Sequence, residues 1–199
     1  MTFWDRIAGI YDFAESFDSG AYKAMLAGIK KIVPEGANVL DCAAGTGELS
    51  VAAAEKAGHV LCTDMSLQML ERARKKSAKK GIKNISFEER DIFSLPDEDN
   101  TYDIAIAGNV LHLLEEPEKA VRELCRVTKQ GGRVIVPTFM AKNSNPLIKI
   151  YTLLGYRAFA CYTMESYEKM LNDCGCGRVK VTKISGLVPV AFGVIKVSK

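Results

Sequence analysis

The sequence predicts an α/β protein whose parallel sheet is covered by helices on both faces. Strand-like apolar runs alternate with helix-like stretches from residue 37 to residue 139, which is typical of consecutive βαβ units. The run from Val39 to Leu49 predicts a buried strand, a tight turn of small residues and the start of a helix. Beyond Phe139 the alternation ends, and two late strand-like runs predict a hairpin.

Periodicity and turn residues place each element in order. An apolar stripe predicts a helix over 3–17, and a second helix ends near Val33, before Pro34-Glu35-Gly36. The strands are predicted at about 37–42, 58–63, 84–89, 102–108 and 132–139. The later helices are predicted at about 46–57, 66–80, 117–128 and 164–174. The hairpin strands are predicted at about 177–185 and 187–198.

Capping residues support three of these boundaries. Asp64 and Ser66 suit the start of the helix over 66–80. Pro117 suits the first turn of the helix that follows the fourth strand. Gly131-Gly132 is expected to close that helix and to open the fifth strand.

The composition is that of a globular domain. The 199 residues are 48% hydrophobic and 26% charged, so we expect one domain over 1–199. It would comprise a helical N-terminal lid over 1–33, a ligand-binding core over 34–139, and a segment over 140–199 with a substrate lid, a helix and the hairpin. No run is long and apolar enough for a membrane span, and no signal-peptide layout is present, which predicts a cytoplasmic protein without a membrane partner.

The charge pattern does not favour a nucleic-acid partner. The net charge is only +3, and the clustered lysines of the chain recur at helical spacing. Such spacing favours the solvated face of a helix over an RNA-binding patch. These lysines are Lys75, Lys76, Lys79, Lys80 and Lys83.

The six cysteines do not predict a disulfide framework or a metal site. Three of them lie in apolar strand or helix patterns, where cysteine is a small buried hydrophobe. Cys174-Gly175-Cys176, with Cys161 nearby, has a spacing that a soft metal could use. The chain has only two histidines and no second paired-cysteine motif, which disfavours that interpretation.

The turn after the first strand predicts a cofactor site. Ala43, Gly45 and Gly47 let a ligand approach the backbone closely, and the following helix offers N–H groups to an anion. A dinucleotide motif would need a small third residue for helix packing, where this chain has Glu48. The pattern therefore disfavours a nicotinamide oxidoreductase.

Three segments carry a resemblance to a known family. Asp41-x-Ala43-x-Gly45-x-Gly47 resembles motif I of the class I S-adenosylmethionine-dependent methyltransferases, which usually have Gly at the position of Ala43. The segment 126–132, Arg-Val-Thr-Lys-Gln-Gly-Gly, resembles the family's signature before the fifth strand. The segment from Ala8 to Asp12 resembles the opening of the ubiquinone and menaquinone C-methyltransferases, a small-molecule branch. The resemblance implies a Rossmann-like, doubly wound, mostly parallel seven-stranded sheet with an antiparallel C-terminal hairpin.

The same resemblance implies S-adenosylmethionine as the cofactor and assigns its contacts. Asp64 would accept hydrogen bonds from the ribose hydroxyls, and Met65 would pack on the adenine. Asp91 would accept from the adenine amine, Ile92 would give an N–H group and apolar contact, and Tyr11 would close over the cofactor. The complete set is Tyr11, Asp41, Ala43, Gly45, Thr46, Gly47, Asp64, Met65, Asp91, Ile92, Asn109 and Val110. Asp64 could also cap a helix, Asp91 could cap a turn, and Tyr11 could be a core aromatic.

Methyl transfer is an in-line displacement, so the protein mainly positions a nucleophile and excludes water. His112, in the loop after the fourth strand, is the candidate base because its ordinary pKa suits proton transfer near neutrality. It could equally shape the loop without moving a proton. Aromatic residues are frequent in 1–33 and 140–165, which favours a small, fairly apolar substrate, although they could also be core packing.

Two alternative functions remain open at this point. A methyltransferase acting on RNA or protein is disfavoured, because the Asn-Pro-Pro-Tyr loop of many nucleobase enzymes is replaced by Asn109-Val110-Leu111-His112. A protein that binds S-adenosylmethionine without catalysis is the other alternative. The sequence leaves the methyl acceptor and the oligomeric state open.

Overall fold

A computed structural model describes residues 19–140, 160–186 and 188–198. Strands and helices alternate along the first of these ranges. The helices are α1 (Ser19–Ile32), α2 (Glu48–Ala54), α3 (Leu67–Lys79), α4 (Pro117–Val127) and α5 (Met164–Asp173), with a 3₁₀ turn at Leu111–Leu113. The strands are β1 (Asn38–Cys42), β2 (His59–Asp64), β3 (Ile85–Glu89), β4 (Tyr102–Ile106), β5 (Thr128–Phe139), β6 (Gly177–Ile184) and β7 (Val190–Val197).

The strands form one seven-stranded sheet in the order β3-β2-β1-β4-β5-β7-β6. Strands β1 to β5 are parallel, and β7 pairs antiparallel with both β5 and β6. The predicted sheet with an antiparallel hairpin is therefore confirmed. The strand order reverses at β1 and β4, and ligands of open α/β sheets bind outside the carboxyl ends of the strands at such a point.

Apolar side chains cover both faces of the sheet. Val39 packs with α1 and α2 on one face, while its neighbour Leu40 belongs to the cluster that contains α4 and α5. Successive residues of a strand point to opposite faces, so a strand buried on both sides is a continuous apolar run. The sheet is thus a rigid base that fixes the positions of the loops at its edges.

The junction of α4 and β5 differs from the prediction. The helix ends at Val127, and the strand begins at Thr128 instead of residue 132. Thr128 ends the helix because its backbone is extended and its hydroxyl donates to the carbonyl of Leu124 at 2.7 Å. The prediction that Gly131-Gly132 closes the helix was wrong. A Cβ at Gly132 would lie 2.7 Å from the carbonyl oxygen of Asp103, so this glycine permits close strand contact.

The predicted helix over 3–17, including Tyr11, lies outside the described residues, as do residues 141–159. Within the described ranges, none of the helices combines the length and the hydropathy needed to cross a membrane.

Candidate functional site

The bend between β1 and α2 has an unusual backbone. Ala43, Gly45 and Gly47 all have left-handed φ angles, of 52°, 56° and 78°. Glycine adopts this conformation without strain, whereas alanine does so at a cost of about 1 kcal/mol. A Cβ at Gly47 would lie 2.8 Å from the Cβ of Ala73, so this glycine also lets α3 pack against the bend. The bend therefore exposes main chain instead of bulky side chains.

Asp41 is a fully buried acid near the end of β1. Its Oδ2 accepts a hydrogen bond from the Ser50 hydroxyl at 2.6 Å. Its Oδ1 has no hydrogen-bond partner among the described residues. Burial and, to a smaller extent, the charge of Asp64 together raise the pKa of the Asp41 carboxyl to about 7, against the lowering effect of the Ser50 hydrogen bond. The Asp41 carboxyl can therefore accept a hydrogen bond from a ligand.

Asn109 supplies a second buried acceptor, directly after β4. It is 6% exposed, has a φ angle of 54°, and its N–H donates to the carbonyl of Pro137 at 2.7 Å. Its side-chain oxygen also has no hydrogen-bond partner in the described part of the chain. A buried polar atom without a partner costs free energy, so it marks a place where a ligand can donate.

Asp41 and Asn109 line the same cleft. About 370 Å³ of space, open to solvent, lies between the ends of β1 and β4. Tyr22 and Met25 of α1 line another side, next to the bend. The cleft thus combines two acceptor atoms, an open backbone and an apolar wall at the point where the strand order reverses.

Asp64 joins the bend to the start of α3. Its Oδ2 accepts from the N–H of Gly45, and its Oδ1 accepts from the N–H of Ser66, both at 2.8 Å. Ser66 caps α3 by accepting from the N–H of Met69. The predicted capping role is therefore present. Each carboxylate oxygen has further lone pairs, so the same group can still accept from ligand hydroxyls.

The remaining predicted contacts follow neighbouring strands at the same edge of the sheet. Met65, directly after β2, is 64% exposed. Asp91, after β3, accepts from the N–H of Phe93 at 2.9 Å and caps a turn, while Ile92 is buried in the core. Val110 is buried at the start of the 3₁₀ turn. Parallel strands bring their carboxyl ends to one edge, so these residues and Asn109 lie along one rim.

Arg126, from the family-like segment at 126–132, stabilises the loop between β3 and β4. Its guanidinium donates to the carbonyls of Leu95 and Asp97 at 3.0 and 2.8 Å. It also forms ion pairs with Asp99 and Glu123. A planar guanidinium with five donors suits such a set of acceptors. Arg126 therefore holds the loop that follows Asp91 and Ile92.

His112 lies in the 3₁₀ turn after β4 and is 4% exposed. Its Nδ1 is 2.9 Å from the hydroxyl of Thr138, and its ring packs edge-on to Phe139. Burial lowers the pKa of His112 to about 4, so the imidazole is neutral at neutral pH. Its carbonyl accepts from the N–H of Ala160 at 3.2 Å.

Two residues near the bend, Met25 and Lys76, were missed from the sequence. Met25 lines the cleft beside Tyr22, an aromatic of the segment 1–33 that the sequence assigned to a lid or to core packing. Lys76 donates to the hydroxyl of Thr46 at 3.0 Å and pairs with Glu48 at 2.6 Å. Its side chain is only 17% exposed, so the prediction of a solvated lysine face is wrong at this position.

A methyltransferase-domain family model matches residues 34–184, which is most of the chain. The chain belongs to this family. The chain is 33% identical over 139 residues to a demethylmenaquinone methyltransferase of Clavibacter sepedonicus, covering 68% of this chain and 56% of the relative. It is 34% identical over 133 residues to the ubiquinone/menaquinone biosynthesis C-methyltransferase UbiE of Francisella tularensis subsp. novicida, covering 65% and 53%. The chain thus spans about half the length of the curated relatives it matches.

Solved structures show the same fold. A Haloferax volcanii putative methyltransferase, in complex with the activator Trm112, matches with a TM-score of 0.80 and 18% identity, covering 98% of this chain and 96% of that one. The YcgJ protein of Bacillus subtilis matches with a TM-score of 0.72 and 18% identity, covering 89% and 100%. At these identities the likeness describes the architecture alone.

Proposed function

We propose that this domain binds S-adenosylmethionine and transfers its methyl group to a small, fairly apolar acceptor. The observation that carries the proposal is a pair of buried oxygens, of Asp41 and Asn109, which have no hydrogen-bond partner in the described ranges and belong to residues lining the cleft beside the left-handed bend. Membership of the methyltransferase family supports the reaction class. The rest of the proposal concerns which residues bind, orient and exclude water.

The chemistry of the cleft fits the amino-acid end of this cofactor. An ammonium group is a donor without acceptor capacity, so it complements the oxygens of Asp41 and Asn109. The bend at Ala43, Gly45 and Gly47 allows a carboxylate to approach the main chain without meeting large side chains. When bound, the cofactor supplies a methyl group activated by a positively charged sulfur.

The remaining predicted residues would hold the nucleoside. Asp64 would accept from the ribose hydroxyls, because a carboxylate has about four acceptor positions on its two oxygens. Met65 is exposed beside it and offers apolar surface to the adenine. Asp91 and Ile92 would contact the adenine amine and ring, and Arg126 keeps their loop in place. Tyr11 remains a proposed cover for the cofactor.

For His112 we propose a positioning role in preference to general base catalysis. Its pKa of about 4 makes the imidazole a weak proton acceptor at neutral pH. Its hydrogen bond to Thr138 fixes the loop that carries Asn109 and Val110. Its carbonyl contact with Ala160 also links this loop to the segment that precedes α5.

The acceptor class is proposed from the relatives. The relatives' names assign them to menaquinone and ubiquinone synthesis. A reduced quinone is a phenol with a nucleophilic ring carbon and an apolar body, which suits a small, fairly apolar substrate. We therefore propose a quinol or a related phenolic molecule as the methyl acceptor.

The test is a binding and turnover experiment. Calorimetry should show binding of S-adenosylmethionine and S-adenosylhomocysteine but not of NAD. Asp41→Ala should abolish binding, while Asp173→Ala, which removes an exposed carboxylate that pairs with Lys169 at the end of α5, should leave it unchanged. Labelled S-adenosylmethionine with a panel of quinols should then give a methylated product. Binding of NAD without binding of S-adenosylmethionine would refute the proposal, and cofactor binding without any product would refute the acceptor class.

A further inference from the structure

Ser50 connects the first turn of α2 to the buried acid near the end of β1. Its hydroxyl is 2.6 Å from Oδ2 of Asp41, and the two residues are only 1% and 0% exposed. A carboxylate oxygen can only accept, so the hydroxyl is the donor. The two residues are nine positions apart, on either side of the left-handed bend. One side-chain hydrogen bond thus closes the bend.

The two carboxyl oxygens of Asp41 have different environments. Oδ2 accepts from Ser50, whereas Oδ1 has no hydrogen-bond partner among the described residues. The main chain of Asp41 is fixed between β2 and β4, and its carbonyl accepts from the hydroxyl of Thr63 at 3.3 Å. Asp41 also lines the cleft. Ser50 therefore occupies one oxygen and leaves the other available to a ligand.

The ionisation of Asp41 depends on opposing effects. Burial and the charge of Asp64 favour the protonated carboxyl, whereas the hydrogen bond from Ser50 favours the ionised carboxyl. On the other sides of the cleft, Tyr22 of α1 and Asn109 after β4 supply a phenol and an amide instead of a charge. The Ser50 hydroxyl is thus a direct contribution of α2 to the anionic form of Asp41.

The remaining titratable groups beside Asp41 belong to β1, β2 and the bend. Burial raises the pKa of Cys42 to about 12 and raises that of Cys62 as well, so both are uncharged thiols at neutral pH. Glu48 also lines the cleft, but it pairs with Lys76 at 2.6 Å. Two thiols and a paired carboxylate therefore complete the surroundings of Asp41 in the described part of the chain.

A proton on Asp41 and an ammonium group need the same oxygen. While the Ser50 hydroxyl donates to Oδ2, a protonated carboxyl carries its hydrogen on Oδ1, which is then a donor. An ammonium group can only donate, so it can bind Oδ1 only after this proton has left. Because the pKa of Asp41 is about 7, the two forms are about equally populated at neutral pH.

We propose that Ser50 is a positioning residue that keeps Oδ1 of Asp41 available as the oxygen at which the cofactor's ammonium group and a proton compete. This inference rests on the proposed function, because its ligand is the amino-acid end of S-adenosylmethionine. Binding of the ammonium group sends the proton of Asp41 to solvent, and no covalent bond to carbon or sulfur changes. The affinity for the cofactor therefore rises with pH, and the hydrogen bond from Ser50 sets the pH range of this rise.

The first experiment titrates the full chain with S-adenosylhomocysteine in a calorimeter at several values between about pH 6 and pH 8. The affinity of the unsubstituted protein should fall below a midpoint near the Asp41 pKa of about 7, approaching about tenfold per pH unit. Ser50→Ala should move this midpoint upward by about one pH unit, because a donor to the anion is lost. Its affinity at pH 7 should be about fivefold weaker.

Two further variants separate positioning from packing. Ser77→Ala is the matched control, because Ser77 is a buried helix serine that donates to the carbonyl of Ala73 on α3 at 2.9 Å; it should leave the midpoint in place. Ser50→Thr retains the hydroxyl and should keep the original midpoint. A Ser50→Ala protein whose affinity falls equally at every pH would overturn the proposal. An unsubstituted protein that binds no S-adenosylhomocysteine at any pH would refute the proposed function itself, and this inference with it.

A second measurement needs no substitution of Ser50. Calorimetry of the unsubstituted protein at about pH 6, in two buffers with different ionisation enthalpies, gives the number of protons released on binding. We expect most of one proton for each S-adenosylhomocysteine bound, because nearly all of the free protein carries the Asp41 proton at this pH. Asp41→Asn should release much less. A binding enthalpy that is the same in both buffers would overturn the competition at Oδ1, even though the cofactor binds.

Discussion

At the scale of single residues, the Asp41 carboxyl is expected to affect both the folding stability of the protein and the binding of the cofactor. The group is fully buried and lines the cleft, one of its oxygens has no hydrogen-bond partner among the described residues, and its pKa is raised to about 7. A folded-state pKa above the unfolded value means that the folded protein binds the proton more tightly. The carboxyl therefore adds stability at low pH that is lost as the pH rises towards 7. The ionised form of the Asp41 carboxyl, which loses this stability, is also the form that pairs with an ammonium group.

Asp41→Asn should remove this pH dependence. Each unit between the folded and unfolded pKa values is worth about 1.4 kcal/mol, so the free energy of unfolding of the unsubstituted protein should fall between about pH 4 and pH 7. The variant should show a smaller fall over that range, measured by urea denaturation at several pH values. Its affinity for S-adenosylmethionine should nevertheless be weaker, because the anion is gone. Equal pH slopes in the two proteins would contradict the assignment.

His112 allows a similarly direct test. An asparagine side chain can replace the hydrogen bond between Nδ1 and Thr138 but cannot act as a base. If His112 positions the loop, His112→Asn should keep turnover within about tenfold of the original, and His112→Ala should lose more. The measurement is single-turnover methyl transfer to the acceptor that the turnover experiment with quinols identifies. A loss of about a hundredfold or more in both variants would instead indicate proton transfer.

At the scale of elements, the bend between β1 and α2 is held in part by α3, which is not the helix that directly follows it. Lys76 lies on α3, yet its ammonium group binds the Thr46 hydroxyl and pairs with Glu48 on the far side of the bend. The lysine is three residues beyond Ala73, which packs against Gly47. The bend is therefore fixed by contacts from α3 as well as by the hydrogen bond that Asp64 accepts from Gly45.

Lys76→Met should loosen the bend while keeping the apolar part of the side chain. We expect a loss of about 1 kcal/mol in stability and a roughly fivefold weaker affinity for S-adenosylmethionine, which is the same free energy expressed as binding. Lys75→Met is the matched control, because Lys75 is 74% exposed and pairs only weakly with Glu71 on its own helix. Calorimetry and thermal unfolding check both. Equal behaviour of the two variants would contradict a role for Lys76.

At the scale of the whole molecule, the strand pattern and the motif after β1 predicted the architecture. Periodicity located β1 to β5 to within a few residues, but it could not predict which strands are neighbours. Asp41 and Asn109 line the same cleft because β1 lies beside β4. Their proximity could therefore not be predicted from the position of either residue in the sequence. Lys76 was missed because charge and spacing alone do not distinguish a solvated lysine from one that flanks the buried stripe of α3.

Binding at this cleft should stabilise the entire domain. Its walls come from α1, the bend after β1 and the residue after β4, all joined to one sheet. At a cofactor concentration of 100 times Kd, the free energy of unfolding should rise by about 2.7 kcal/mol, with one urea transition of unchanged slope. NAD at the same concentration is the control and should change nothing. A second unfolding transition whose midpoint does not change with the cofactor would contradict a single cooperative unit.

The position of β7 has a consequence for synthesis on the ribosome. Residues 190–197 insert between β5 and β6, and among the described strands β6 pairs only with β7. During translation, residues 19–139 can form the five parallel strands before β6 and β7 have been synthesised. Until residue 197 has left the exit tunnel, the outer side of β5 is an open edge with unpaired backbone groups, which invites pairing with another nascent chain. Chaperone protection during synthesis should therefore matter most between the emergence of β5 and the emergence of β7.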